Sequence, residues 1–157
     1  MTVIKRFTSR DRGSVHQLLK KRDIFTADEV EVALSVLDEH INFPGRDDYE
    51  VLCAFNDNAL LGYICFGPIP MTDRCFDLYW IAVGETYSRR GIGGLLVSAM
   101  EKNLVERGAR HIYIDTSSTQ PYDPARKFYH KHGYSVAAKF DDFYRTDDHK
   151  IIFVKKL

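Results

Sequence analysis

The chain has 157 residues, of which 45% are hydrophobic, and its 22 basic and 22 acidic residues give a formal net charge of zero. This length and composition fit one globular domain with its own core, and the balanced charge argues against a nucleic-acid or membrane surface. No apolar run approaches the roughly 20 residues of a membrane span, and the first residues do not resemble a signal peptide. We therefore expect a cytoplasmic protein.

The first half of the chain predicts a strand, two helices and a β-hairpin. Residues 2–7 alternate like a strand, and residues 12–22 have apolar side chains at helical spacing. Thr26 and Glu29 form a capping box that opens the second helix. The hairpin strands are predicted at residues 49–55 and 60–66.

The second half begins with a run, Leu78 to Val83, that has no polar alternation and predicts a strand buried on both faces. The pattern then predicts a helix at residues 93–107, a strand at 111–114 and a second helix at 124–132. A terminal hairpin is predicted from strands at residues 136–143 and 151–155. The order β-α-α-β-β-β-α-β-α-β-β predicts one α/β (α+β) domain over residues 1–157 with a mixed sheet.

The cysteines and histidines predict no metal and no disulfide framework. There are three cysteines, an odd number, and no pair has metal-ligand spacing. The six histidines are scattered, and His130 and His132 point to opposite sides of a helix.

A glycine-rich turn between the strand at Val83 and the next helix is suited to hold an anion. Glycines let a ligand approach the backbone, the first turn of a helix presents amide groups without partners, and arginines add charged donors. The dinucleotide fingerprint GxGxxG fails at Leu96, and the P-loop pattern is absent. The candidate binding residues are Ser88, Arg89, Arg90, Gly91, Ile92, Gly93 and Gly94.

Ser88-Arg89-Arg90-Gly91-Ile92-Gly93 closely resembles the acyl-CoA pyrophosphate loop, Q/R-x-x-G-x-G/A, of the GCN5-related N-acetyltransferases. Ser88 departs from the usual Gln or Arg. About 30 residues later, Ala125 to Tyr134 is similar to the A-x-x-F-Y-x-x-x-G-F/Y segment of the family. The chain is therefore identified as a member of this family, which implies a mostly antiparallel sheet of about seven strands flanked by about four helices.

The resemblance implies acetyl-CoA as co-substrate, with its pantetheine arm beside the end of the strand at Ile81 and Val83. It implies that Tyr129 lies near the sulfur and protonates the leaving thiolate, which suits a phenol with a pKa near 10 beside a thiol near 8.5. Tyr122 stands where the family often has an asparagine that touches the pantetheine. Residues 117–119 are alternative polar contacts.

Asp77 is the leading candidate for the base that deprotonates the acceptor amine. It lies six residues before Val83, where family members with a strand-borne base often have a glutamate. Strand alternation predicts that Asp77, Tyr79, Ile81 and Val83 share one side. The shorter aspartate favours action through water. Weaker candidates are Asp142 and Glu85, and a Cys75 acyl-enzyme is the alternative to the direct transfer that the family implies.

The resemblance implies an acceptor site framed by Lys20 to Glu29 and by Asp141 to Asp148. The second segment has four aspartates and two aromatic residues, which suit a cationic amine through charge and cation–π contact. A small amine, an amino acid or a peptide N-terminus are all open as acceptors, and a homodimer is possible in this family. The alternative functions are a non-catalytic acyl-CoA-binding or sensing module and a nucleotide-binding protein.

Overall fold

A computed structural model describes residues 1–157. The seven strands are β1 (Thr2–Arg6), β2 (Glu50–Asn56), β3 (Ala59–Pro68), β4 (Cys75–Val83), β5 (His111–Ser117), β6 (Ser135–Arg145) and β7 (Asp148–Lys156). The four α-helices are α1 (Arg12–Lys20), α2 (Ala27–Asn42), α3 (Ile92–Glu106) and α4 (Asp123–Lys131). Short 3₁₀ turns occupy Ser9–Asp11, Glu85–Tyr87 and Gln120–Tyr122.

All seven strands form one sheet in the order β1-β2-β3-β4-β5-β7-β6. Only β4 and β5 pair in parallel, and every other neighbouring pair is antiparallel. This confirms the mixed, mostly antiparallel sheet with four helices that the sequence predicts. The largest boundary differences are three residues: β4 begins at Cys75 instead of Leu78, β5 ends at Ser117 instead of Ile114, and β7 begins at Asp148 instead of Ile151.

Local sequence signals explain how the N-terminal elements begin and turn. The hydroxyl of Thr26 accepts a hydrogen bond from the backbone N–H of Glu29 at 3.1 Å, which caps α2. The β2–β3 turn is closed by Asp57 with a φ of 53°, a left-handed conformation that aspartate tolerates. None of the helices is long and apolar enough to cross a lipid bilayer.

The sheet separates two hydrophobic cores. On the α3–α4 face, the core includes Phe66, Leu78, Leu96, Met100, Ile114 and Phe153. On the α1–α2 face, it includes Leu19, Leu37, Val51, Tyr63, Cys65 and Ala82. Helix α1 packs on β3 and β4 and helix α2 packs on α1. The edge strand β6 is exposed along nearly its whole length.

A β-bulge interrupts β4 at Tyr79. Across the β3–β4 pair, Cys65 lies opposite Trp80 while Phe66 lies opposite Leu78, so Tyr79 has no partner residue. One extra residue in a strand shifts the alternation of side chains between the two faces. The two halves of β4 are therefore out of phase.

The bulge overturns the prediction that Asp77 and Tyr79 share a side with Ile81 and Val83. Before the bulge, Leu78 lies in the α3–α4 core, and after it both Ile81 and Val83 pack against the same core. Asp77, the neighbour of Leu78, therefore faces the α1–α2 side. Alternation was applied to β4 as an unbroken strand, and the extra residue at Tyr79 breaks it.

Candidate active site

A slot opens between β4 and β5 because their pairing stops halfway. The last partners are Leu78 and Ile114, and beyond them Tyr79–Val83 and Asp115–Ser117 diverge. We call this opening the β4–β5 slot. Asp77, one residue before the last pair, lies on the α1–α2 face beside this opening.

Two backbone amides of β4 are directed into the β4–β5 slot. The N–H of Gly84 donates to the carbonyl oxygen of Leu61 on β3 at 2.8 Å. Because successive N–H groups of a strand point to opposite edges, the amides of Ile81 and Val83 point away from β3, toward the slot. These are the only two residues of the strand beyond the bulge whose amides have this orientation by alternation.

The loop from β4 to α3 presents a group of unpaired amides. The backbone N–H groups of Arg89 and of residues 91–94 have no acceptor within the chain. Gly91 is the N-cap of α3 with a φ of 78°, and no side chain caps the helix. Free amides at a helix N-terminus together with the exposed Arg89 and Arg90 form a suitable site for a phosphate.

Ser88, which departs from the family pattern, has a structural partner in this loop. Its hydroxyl donates to the carbonyl oxygen of Glu85 at 2.9 Å and closes the 3₁₀ turn. The turn therefore holds the loop without the long side chain that Gln or Arg would supply at this position.

The glycines of the loop have different roles. A Cβ at Gly93 would lie 3.0 Å from the Phe128 ring, and one at Gly94 would lie 3.2 Å from the His132 ring. Both glycines therefore allow α4 to pack closely against the first turn of α3. Gly91 instead has open space around it and a positive φ, so Gly91 is the glycine whose backbone conformation shapes the loop.

Tyr129 lies in α4 within the α3–α4 core, and 6% of its surface is exposed. Its ring packs against Phe128, Tyr134 and Phe153 at centroid distances of 5.8, 6.4 and 5.5 Å. Burial raises the pKa of the Tyr129 phenol well above its ordinary value, and no hydrogen bond within the chain contributes to the shift. The hydroxyl is therefore a neutral donor with no partner in the protein.

Asp77 is a half-buried carboxyl with a shifted pKa. Its pKa is raised from 3.8 to about 6, chiefly by burial and also by the Asp115 carboxylate, while the Lys150 ammonium opposes the rise. Asp77 is consequently ionised at neutral pH but has more proton affinity than an exposed aspartate. This is the range in which a general base is effective.

Tyr122, predicted to contact the pantetheine, has its hydroxyl committed elsewhere. It donates to Glu29 Oε2 at 2.9 Å, which joins the β5–α4 connection to the start of α2. The alternatives are also engaged: the Ser117 hydroxyl donates to Asp148, and the Ser118 hydroxyl accepts from the His149 N–H at 2.9 Å. Tyr122 and Glu29 thus lie together on the α1–α2 side of the site.

The weaker candidates lie away from the slot. Cys75 is buried, with its thiol 3.8 Å from His111 Nδ1, and it is about 20 Å from Ile81 at the rise of an extended strand. Asp142 lies at the exposed β6–β7 tip, where its carboxylate accepts from the Asp147 N–H at 2.8 Å. Glu85 belongs to the 3₁₀ turn of the phosphate-type loop. None of the three shares the position of Asp77.

Sequence patterns missed two residues of the site, Asp115 and Lys150. Lys150 Nζ lies 3.0 Å from Asp115 Oδ2 and 4.3 Å from the centre of the Phe143 ring. Alternation along β5 could have drawn attention to Asp115, but its contact with Lys150 depends on the pairing of β5 with β7. No group of three or more His, Cys, Asp or Glu side chains is arranged to hold a metal ion.

Known proteins are similar to this chain in sequence and fold. The sequence model of the acetyltransferase (GNAT) family matches residues 15–134. A Desulfovibrio desulfuricans protein assigned to the GNAT family is 32% identical, with a TM-score of 0.94 and coverage of 99% of both chains. An aminoglycoside 6'-N-acetyltransferase, solved in complex with coenzyme A, is 19% identical with a TM-score of 0.75, covering 98% of this chain and 96% of that one.

A curated relative, mycothiol acetyltransferase of Corynebacterium aurimucosum, is 31% identical over 71 residues. The match covers 45% of this chain and 23% of that protein, so the two share one segment and not their whole length.

The fold and the slot define an acyltransferase that uses a coenzyme A thioester. The chain belongs to the GNAT family of acetyltransferases. This confirms the family, the fold and the enzyme class predicted from the sequence, with acetyl-CoA as co-substrate. The enzyme class also removes the nucleotide-binding alternative.

Proposed function

We propose that this protein transfers the acetyl group of acetyl-CoA to a primary amine by direct attack within a ternary complex. The main observation is that the two sides of β4 carry complementary chemistry around one slot. Free amides and Tyr129 lie toward the α3–α4 face, while an ionised carboxylate, Asp77, lies toward the α1–α2 face. A donor thioester and an acceptor amine would meet between them.

In this proposal the loop of residues 88–94 holds the pyrophosphate and the pantetheine arm enters the slot beside Ile81 and Val83. The thioester carbonyl accepts a hydrogen bond from a slot-facing amide of β4, which stabilises the oxyanion that forms on attack. At about 3.3 Å per residue, Asp77 is about 13 Å along the strand from Ile81 and about 20 Å from Val83. The Ile81 amide is the nearer of the two to Asp77, and a chain of several water molecules is needed to connect an amine there with the Asp77 carboxylate.

The acceptor enters as an ammonium and must lose a proton before it attacks, because its pKa is near 10. Asp77 accepts that proton through water, and the neutral amine forms the new N–C bond. When the C–S bond breaks, Tyr129 donates its proton to the departing thiolate, and the second proton that the nitrogen loses as it becomes an amide returns to Tyr129 through water. No acyl-enzyme is required, and the roughly 20 Å between Cys75 and Ile81 argues against one.

A cationic acceptor fits the charges around the slot. Four carboxylates lie on the α1–α2 side, those of Glu29, Asp77, Asp115 and Asp148. The pKa of Tyr144 is raised mainly by burial and also by the Asp115 and Asp148 carboxylates, which places this aromatic ring close to both. We therefore favour a small amine with positive charge, or a peptide N-terminus. The aminoglycoside acetyltransferase of the same fold is named for a polycationic acceptor, which agrees with this class.

A non-catalytic acyl-CoA sensor on the same fold is the second hypothesis. A sensor needs the phosphate loop but has no use for a half-buried base or for the Tyr129 phenol, whose hydroxyl makes no hydrogen bond within the chain, and both are present here. The three cysteines are free thiols, which agrees with a reducing compartment and with our expectation of a cytoplasmic enzyme.

A thiol-release assay tests the proposal. Purified protein and acetyl-CoA are combined with polyamines, amino acids, aminoglycosides and short peptides, and products are read by mass spectrometry. We expect release of coenzyme A together with an N-acetylated amine. Calorimetric binding of acetyl-CoA without release for any acceptor in the panel would instead support the sensor.

A further inference from the structure

An ion pair flanks the carboxylate that we assign as the base. Asp77 on β4 lies opposite Tyr113 of β5, and Asp115 follows two residues later on the same face. Lys150 of β7 reaches Asp115 with its ammonium 3.0 Å from Oδ2. Asp115 therefore lies on the strand next to Asp77 and Lys150 one strand further, at the mouth of the β4–β5 slot.

The ion pair is held in a partly enclosed setting. The side chain of Lys150 is 19% exposed and that of Asp115 is 46% exposed. The ammonium lies 4.3 Å from the centre of the Phe143 ring, which covers it from the β6–β7 tip. A surface ion pair contributes little to stability, so the role of this pair is sought in its position beside Asp77.

The other groups that face Asp77 are phenols. Tyr79 lies two residues after Asp77 on β4, and Tyr113 lies opposite Asp77 on β5. Tyr49 packs on Tyr79 with the ring centres 5.3 Å apart. From β3 the facing residue is Gly67, which has no side chain. Asp115 and Lys150 are thus the charged side chains that act on the Asp77 carboxyl.

We propose that Asp115 and Lys150 are positioning residues for Asp77, with Lys150 keeping its carboxylate ionised and Asp115 holding the ammonium in place. The proposal rests on the proposed function, in which Asp77 accepts the proton of the amine. It adds two residues that touch neither substrate and that act through Asp77.

Opposite-charge and like-charge neighbours shift a carboxyl pKa in opposite directions, so two variants give a signed test. Lys150→Met removes the positive charge and raises the midpoint of Asp77. Asp115→Asn removes the negative charge, which lowers the midpoint, and releases the ammonium from its place, which partly offsets that change; the loss of the Asp115 charge is the larger effect. We expect each shift to be on the order of half a pH unit, because partly exposed charges are screened.

The first measurement is a pH titration of ¹³Cγ-labelled aspartate by NMR, with the Asp77 signal assigned from its loss in Asp77→Asn. Lys150→Arg keeps the charge and should retain the wild-type midpoint. Lys139→Met is the matched control, because Lys139 pairs with Asp141 at 3.4 Å on the exposed edge strand. Thermal melts identify any variant that loses its fold, and the two charge variants test the proposal independently.

The second measurement is the pH profile of kcat/KM with the best acceptor from the thiol-release panel. The acid limb should follow the NMR midpoints, moving to higher pH in Lys150→Met and to lower pH in Asp115→Asn. Midpoints that do not move in opposite directions would overturn the positioning role. Midpoints that move while the acid limb stays in place would overturn the assignment of Asp77 as base.

Discussion

The two sides of β4 offer different groups to a ligand, backbone groups on one side and side chains on the other. Toward the α3–α4 face, the site is built mainly from backbone: free amides at the start of α3, a glycine with a positive φ, and the slot-facing amides of the strand. Toward the α1–α2 face, it is built from side chains that come from β4, β5, β7 and the start of α2.

This difference has a functional meaning. A backbone cradle depends on chain geometry, so it recognises a constant chemical group such as a pyrophosphate. A side-chain wall changes with each substitution, so it can be adapted to different acceptors. We therefore expect changes on one side to affect the binding of one substrate and to leave the affinity for the other unchanged.

Asp77→Asn should have the largest effect and should affect only the acceptor side. We expect kcat to fall by about 10² to 10³ at neutral pH, with acetyl-CoA affinity unchanged by calorimetry. Because Asp77 has a pKa of about 6, wild-type kcat/KM should fall as the pH drops through 6, and the variant should lack this inflection. The defect should shrink at high pH, where the amine is already neutral.

Asp142→Asn is the control for this change, since Asp142 lies at the exposed β6–β7 tip. It should keep the wild-type pH profile. If it instead reproduced the loss seen in Asp77→Asn, the base would have to be sought at the tip.

Tyr129→Phe should lower kcat by about tenfold to a hundredfold and leave the affinities for both substrates within twofold. Its hydroxyl has no partner in the core, so the melting temperature should stay the same. Tyr134→Phe is the matched control, because that hydroxyl donates to Glu101 at 3.3 Å and belongs to the packing of α4. A Tyr129→Phe enzyme with full kcat, when chemistry limits the rate, would remove Tyr129 as the acid.

Gly91→Ala should weaken acetyl-CoA binding by about fivefold to tenfold, because a side chain is strained at a φ of 78°. KM for the amine should not change. Gly13→Ala, at an open position in α1, should leave both constants unchanged. Equal acetyl-CoA affinity in Gly91→Ala and in the wild type would place the pyrophosphate elsewhere. Gly93→Val would be less informative, because its side chain would displace Phe128 and so disturb α4 together with the loop.

Tyr63→Phe should have the smallest effect and should change neither substrate constant. The Tyr63 hydroxyl is buried in the α1–α2 core without a hydrogen-bond partner. Removing an unsatisfied buried hydroxyl should raise the free energy of unfolding by up to about 1 kcal/mol, measurable by urea denaturation. A loss of stability would indicate a partner for this hydroxyl inside the core.

The sequence predicts the backbone-built side of the site better than the side-chain wall. The glycine loop and the segment around Tyr129 are local patterns, and each lies within one turn or one helix. The helix start at Thr26 is confirmed for the same reason, since its hydroxyl accepts from the Glu29 N–H. The predicted capping box is only half formed, because the Glu29 carboxylate accepts instead from the hydroxyl of Tyr122, 93 residues away on the same wall of the site.

The side-chain wall depends on contacts that no local pattern records. The side of the sheet that Asp77 faces is set by the pairing of Phe66 with Leu78 across β3 and β4. The contact of Lys150 with Asp115 is set by the pairing of two strands that are distant in sequence. Alternation within one strand therefore placed Ile81 and Val83 on the wrong side relative to Asp77.

The extra residue at Tyr79 reverses the parity of β4. Even-numbered positions before it and odd-numbered positions after it point to the same layer of the protein. Inserting or deleting a single residue in this strand would exchange the carboxyl of Asp77 for an apolar neighbour, whereas a change of two would preserve the order of the sides. The length of β4 is thus constrained by the chemistry on its two sides as well as by its packing.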